Sequence, residues 1–187
     1  MKPGWFFNRA ILIFFFTRLE GGRLLLKQES EEYQLIDKVV HINRVAKVVK
    51  GGRRFSFAAL VVVGDRAGTV GIGYGKANEV PRSVEKAVKD AKKSLHKISL
   101  VERTIPHRVD GKYRATKIAL VPASPGTGVI AGSSARAVLE YAGVQDVLTK
   151  VYGSTSAKNV VKATLAGLLK LRNKETVESL RGVNVNV

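Results

Sequence analysis

The chain has 187 residues, with 32 Lys and Arg against 15 Asp and Glu, a formal charge of +17 and a pI near 10.3. Its apolar share of 45% is ordinary for a globular protein, so the excess charge rides on a chain able to bury a core. The lack of cysteine excludes a disulfide scaffold, a zinc ribbon and a thiol nucleophile, and a soluble chain this basic is expected to meet a polyanion, nucleic acid before membrane.

Two composition shifts divide the chain. Residues 1–33 carry a net +1, residues 34–103 carry +9 and residues 104–187 carry +7. The first stretch holds the only Trp, Trp5, and five of the seven Phe. Its apolar run Ala10–Phe16 is far short of the roughly twenty residues of a membrane span, and no small-residue cleavage site follows it. The expectation is an extension outside the fold, explained by a misplaced start codon or, as the rival, by an interfacial anchor. Two folded segments follow, 34–103 and 104–182, with the joint at Arg103–Pro106 and a tail at 183–187.

In the first segment, residues 35–49 alternate apolar and polar with many β-branched side chains, which predicts a strand. Lys50-Gly51-Gly52-Arg53-Arg54 predicts a hairpin turn, and the apolar run Phe55–Val63 a central buried strand. After a turn at Asp65–Gly68 comes a third strand, Thr69–Tyr74, whose Gly71 and Gly73 signal a bulge or a close backbone approach. A helix is expected from Pro81 to Lys97. It places Val84, Ala87, Val88, Ala91, Leu95 and Ile98 on one face, with Arg82, Lys86, Lys89, Lys92, Lys93 and Lys97 opposite and an ion pair between Glu85 and Lys89.

The second segment predicts a hairpin, Thr104–Val109 and Lys112–Val121 around a turn at Asp110-Gly111. A Gly-rich loop over 122–132 leads to a short helix, Ser133–Tyr141, stopped by Gly143. A strand over Val144–Val151 and a helix over Ser154–Lys170 complete a ββαβα sandwich, with Val160, Val161, Thr164, Leu165, Leu168 and Leu169 on the buried helix face. The fold class is therefore α+β.

The strongest chemical signal is the hairpin. Arg44, Lys47, Lys50, Arg53 and Arg54 surround Gly51-Gly52 with no acid between Val39 and Leu60, which suits phosphate contact better than an ordinary solvated turn. Phe55 is a candidate RNA contact and Phe57 a core residue. Three strands followed by a basic helix is the layout of double-stranded-RNA-binding domains. The loop 122–134 has no Gly-Lys-Ser/Thr and is no Walker loop, though Gly128 and Ser133-Ser134-Ala135 resemble the phosphate loop of galactokinase-type small-molecule kinases. His41, His96 and His107 match no metal-ligand spacing, Asp110, Glu140 and Asp146 sit in no catalytic motif, and neither an enzyme nor a cofactor is expected.

Longer motifs point further. Val48–Phe57, Val63-Gly-Asp65, Gly71–Ala77, Glu79-Val-Pro81, Pro122–Gly128, Ile130-Ala-Gly132, Arg136–Glu140 and Tyr152–Thr155 resemble the bacterial-type fifth protein of the small ribosomal subunit over residues 34–182. The resemblance implies a double-stranded-RNA-binding-like first domain and a second domain with a left-handed βαβ unit shared with those kinases. It implies small-subunit rRNA as partner, with the 49–55 loop reaching toward the neck and head near the spectinomycin site. Lys76, Arg82 and Lys86 join the hairpin as candidate RNA contacts. Gly132 and Arg136 become candidate contacts to the fourth small-subunit protein. The eighth small-subunit protein, mRNA near the channel by which it enters, a role in decoding accuracy and a single copy in a cytoplasmic ribosome complete the implied setting. Two alternatives stay open: a kinase-like nucleotide binder using loop 122–134, and a free regulator that binds double-stranded RNA.

Overall fold

β-branched and apolar alternation builds the first sheet. The computed structural model describes residues 35–182; the expectations for residues 1–33 and for the tail at 183–187 lie outside the described residues. Strands β1 (Ile36–Val49), β2 (Gly52–Gly64) and β3 (Thr69–Ala77) run antiparallel, and β2 lies in the centre as its apolar run requires. Helix α1 (Val80–Lys93) packs across β2 and β3, with Pro81 in its first turn. The helix is shorter than its apolar periodicity suggests. Ser94 caps it, its hydroxyl shared between the carbonyls of Ile72 (3.3 Å) and Asp90 (3.4 Å). Leu95–Lys97 then forms a fourth strand, β4, on the edge of β3, so the order is β1-β2-β3-β4. Strand pairing satisfies the backbone groups of Thr69–Gly71 that a continued helix would leave bare. Ile98 is buried this way, whereas Leu95 stays exposed.

The glycines of β3 mark a close approach rather than a bulge. A Cβ on Gly73 would stand 1.9 Å from the Ala87 carbonyl oxygen, and Gly71 and Gly75 meet the backbone of α1 in the same way. The register irregularity of this sheet falls in β1, between Val39 and His41. The ion pair at α1 is Arg82 with Glu79 at 3.2 Å, in place of the expected Glu85–Lys89 pair.

The second sheet consists of β5 (Val109–Tyr113), β6 (Thr116–Pro122), β7 (Val129–Ile130) and β8 (Val147–Gly153) in the order β5-β6-β8-β7. Helix α2 (Ser133–Ala142) connects β7 to the parallel strand β8, a βαβ unit, and ends on Gly143 in the left-handed conformation. Helix α3 (Ala157–Leu168) covers β5 and β6. The expected turn at Asp110-Gly111 is displaced. Both residues lie inside β5, and the chain reverses at Arg114-Ala115, with Arg114 at φ 51°. Gly111 is there because α3 crowds it: a Cβ would sit 2.1 Å from the Ala163 carbonyl oxygen. Leu169, expected on the buried face of α3, lies past its end and is 47% exposed. A further helix, α4 (Lys174–Arg181), buries no residue and so had little apolar periodicity to reveal it.

The two sheets share a core. Leu60, Val62 and Val70 of the first pack in one cluster with Val138, Leu139, Tyr141 and Ala142 of α2. Backbone hydrogen bonds tie the junction, from Arg66 N–H to Tyr141 O (3.2 Å) and from Gly68 N–H to Ala142 O (3.0 Å). The segment expected to be a joint is docked as well. Gln145 N–H donates to Arg103 O at 2.8 Å, the Thr104 hydroxyl donates to Asp146 O at 2.6 Å, and Ile105 is buried. A smaller cluster, Ala59, Val61 and Val63 with Ala87 and Ala91, fills the space under α1. Among the described residues no helix is long and apolar enough to cross a membrane.

Candidate nucleic-acid interface

β3 ends at Ala77, opposite Phe57, so among the described residues the last part of β1 and the first part of β2 have no third strand beside them. Residues 45–56 form a two-stranded ribbon, closed by Gly51 (φ 92°) and Gly52 (φ 156°), where an added Cβ meets nothing within 4 Å. Left-handed φ at a tight turn is the conformation glycine adopts without strain. Lys50, at the tip, is exposed, as are Lys47, Arg53 and Arg54.

Period-two alternation sorts the basic side chains onto two faces. Lys47 is paired directly with Arg54. Both lie on the sheet face opposite α1, the face that carries Leu60 and Val62. Lys76, paired with Ala58, lies on that face too. Arg44, Arg53 and Phe55 take the α1 side, where the Arg44 guanidinium stacks 3.7 Å above the Phe55 ring. Phe57, expected in the core, is only half-buried. Arg82 and Lys86 are exposed on α1 itself, with Arg82 engaged by Glu79. The predicted RNA-contact residues are thus distributed over both faces of the ribbon, the end of β3 and the exposed side of α1.

Gly132 and Arg136 fall together at the start of α2. The Arg136 N–H donates to Gly132 O at 2.8 Å, and its guanidinium donates to Val129 O at 3.2 Å. Both are exposed, and a Cβ on Gly132 would meet nothing. In the Gly-rich loop, the Gly128 N–H donates to Asp146 Oδ1 at 2.8 Å. A carboxylate thus occupies the backbone donor that a phosphate would need.

Residues 35–99 match the family model described as "Ribosomal protein S5, N-terminal domain", and residues 111–181 match "Ribosomal protein S5, C-terminal domain". The chain belongs to the ribosomal protein S5 family. Two curated relatives bear the name "Small ribosomal subunit protein uS5". The one from Syntrophobacter fumaroxidans is 57% identical over 162 residues, covering 87% of this chain and 98% of its own length. The one from Rhodopirellula baltica is 54% identical over 158 residues, covering 84% and 89%.

The S5 family proteins are structural components and not enzymes, which agrees with the sparse acids of this chain, none of them in a catalytic motif. Among the described residues no group of three or more His, Asp or Glu gathers as a metal site would require. The S5 match also accounts for the long motifs of the ribbon and the loop, all of which fall within residues 35–181.

One cluster went unseen in the sequence. Lys158 Nζ lies 4.0 Å from the centroid of Tyr74, and Lys162 Nζ 5.2 Å from that of Tyr113. The Lys162 ammonium beside the Tyr113 hydroxyl holds that phenol below its ordinary pKa of 10.0. Only the i,i+4 spacing of the two lysines was visible beforehand. The tyrosines belong to two different sheets, and no local pattern couples them to α3.

Proposed function

We propose that this chain is a structural constituent of the small ribosomal subunit, bound to its rRNA through the basic β1–β2 ribbon. The observation that carries the reading is Lys47 placed directly opposite Arg54 on an exposed, unsupported ribbon. Like charges directly opposite on a sheet are unfavourable by themselves. A phosphate lying between them turns that repulsion into attraction, and the glycine tip lets a polyanion backbone come close. Lys50 and Arg53 extend the contact around the turn, and on the ribbon's other face Phe55, stacked under the Arg44 guanidinium, offers a ring.

The relatives' name, a small ribosomal subunit protein, supports a ribosome-bound protein acting in translation, and the proposed location is the cytoplasm. Gly132 and Arg136 at the exposed start of α2 are the proposed contact to the fourth small-subunit protein, through which the chain contributes to decoding accuracy. The eighth small-subunit protein and mRNA near its channel complete the proposed neighbours. The proposed domain limits are 34–103 and 104–182.

The test is binding of the full chain to small-subunit rRNA as a function of salt. Lys50→Ala with Arg53→Ala is expected to weaken binding and to flatten the plot of log K against log salt by about one per lost phosphate contact. An unchanged slope would overturn the ribbon as the contact. Co-sedimentation with small subunits in high salt separates a ribosomal constituent, which stays bound, from a free RNA-binding regulator, which does not.

A further inference from the structure

The sheet face opposite α1 continues past the ribbon into a cleft. Down this face the register sets Lys47 beside Arg54, then Asn43, Ala58 and Lys76 in one row, then His41, Leu60 and Tyr74 in the next. At Tyr74 the face meets α3. A cavity of about 390 Å³ opens there between β3 and α3, lined by Tyr74, Tyr113, Lys158, Lys162 and Leu165 among others. A smaller one of about 290 Å³ adjoins it at His41, Asn43 and Tyr74. Lysines project into the cleft from successive turns of one helix, and each rests against a tyrosine. Tyr74 is 40% exposed. Asp90, the acid at the rim, is engaged by the Tyr74 N–H at 3.0 Å.

From this arrangement we infer that the cleft between the first sheet and α3 is a second RNA site, which takes unpaired nucleotides that arrive along the sheet face from Lys47, Arg54 and Lys76. Flat aromatic rings flanked by flexible ammonium groups are the combination that holds single strands: bases stack on the rings while lysines neutralise phosphates. The lysine–tyrosine contacts occupy both partners until RNA arrives, and a stacking base with its phosphate replaces them on the same atoms. A duplex presents no free base face, so the cleft selects unpaired RNA. The inference rests on the chain being an RNA binder but not on the ribbon tip.

The test uses the full chain with a labelled single-stranded oligouridine of about 12 nucleotides, within the site sizes such grooves take, and a duplex RNA of equal length, with affinity read by fluorescence anisotropy. Lys158→Ala with Lys162→Ala is expected to weaken oligouridine binding about tenfold or more and to lower its salt slope by roughly 1.4, at about 0.7 per phosphate on a single strand. Duplex affinity should stay unchanged. Tyr74→Ser should cost the oligouridine roughly fivefold or more, with recovery in Tyr74→Phe, which keeps the ring and loses only the hydroxyl. Circular dichroism of each variant confirms the fold, and the double lysine change decides the proposal if Tyr74→Ser unfolds. Oligouridine affinity indifferent to the double lysine change, or its displacement by polyglutamate with no displacement by unlabelled oligouridine, would overturn the site. Lys50→Ala with Arg53→Ala reports separately on the ribbon, because those residues lie outside the cleft.

Discussion

Glycines do opposite work at the two ends of the first sheet. At the ribbon tip, Gly51 and Gly52 are surrounded by open space, and backbone angle is what demands glycine there. In β3, Gly71, Gly73 and Gly75 have ordinary strand angles, and what demands glycine is the α1 backbone pressed against them. The tip thus carries no packing demand among the described residues, as the proposed RNA contact requires, whereas the β3 glycines are part of the core. A sheet that is rigid where the helix lies on it and unsupported where it projects can hold a basic ribbon out into an rRNA fold.

This contrast can be broken by measurement. Gly73→Ala forces a methyl group into the Ala87 carbonyl, with no flexible side chain to yield, and is expected to lower unfolding stability by about 3 kcal/mol or more in urea titration. Gly51→Ala meets no atom and strains only one residue at φ 92°, so about 1 kcal/mol is expected. Equal losses at the two sites would remove the distinction.

Asp65 supplies a pH test at the buried end of the sheet. Burial pushes its carboxyl pKa up, but the N–H groups of Ala67 and Thr69, each donating to Oδ1 at 2.8 Å, outweigh this and hold it below the ordinary 3.8. A depressed folded pKa gives stability that is present above the unfolded value and lost as pH falls through the folded one. Asp65→Ala is therefore expected to flatten the acid limb of the stability curve below pH 3.8, with the wild type and the variant converging at low pH. A constant gap across that range would show that the turn is held by something else.

Lys47→Ala carries the smallest stability effect and the sharpest contrast. It removes a like-charge cross-strand pair, so stability should hold or rise by a few tenths of a kcal/mol, while the salt slope for rRNA falls by about one. A loss of stability together with an unchanged slope would make Lys47 a structural residue of the ribbon and not a phosphate contact.

The same contrast explains what could be read in advance. The hairpin, the central β2, the strand–glycine signal in β3 and the stop of α2 at Gly143 are short-range features, set by alternation, turn chemistry and apolar runs within a few residues. The misplacements share one cause. Leu95 and Ile98 kept the helical period of α1, yet the chain left the helix to pair with β3, because a free sheet edge competes with another helical turn. Asp110-Gly111 had the composition of a turn, yet Gly111 was answering to Ala163, more than fifty residues away. The ribbon's basic content was plain, but which charges share a face depended on the register.

By itself, then, the sequence determined an α+β chain with a basic glycine hairpin and motifs long enough to resemble one family. Local propensity and charge are written residue by residue. Tertiary structure decided that the two sheets share one core through α2, that Lys47 faces Arg54, and that Tyr74, Tyr113, Lys158 and Lys162 meet at one cleft. Each of these joins residues distant along the chain, and their proximity follows from which apolar surfaces bury one another.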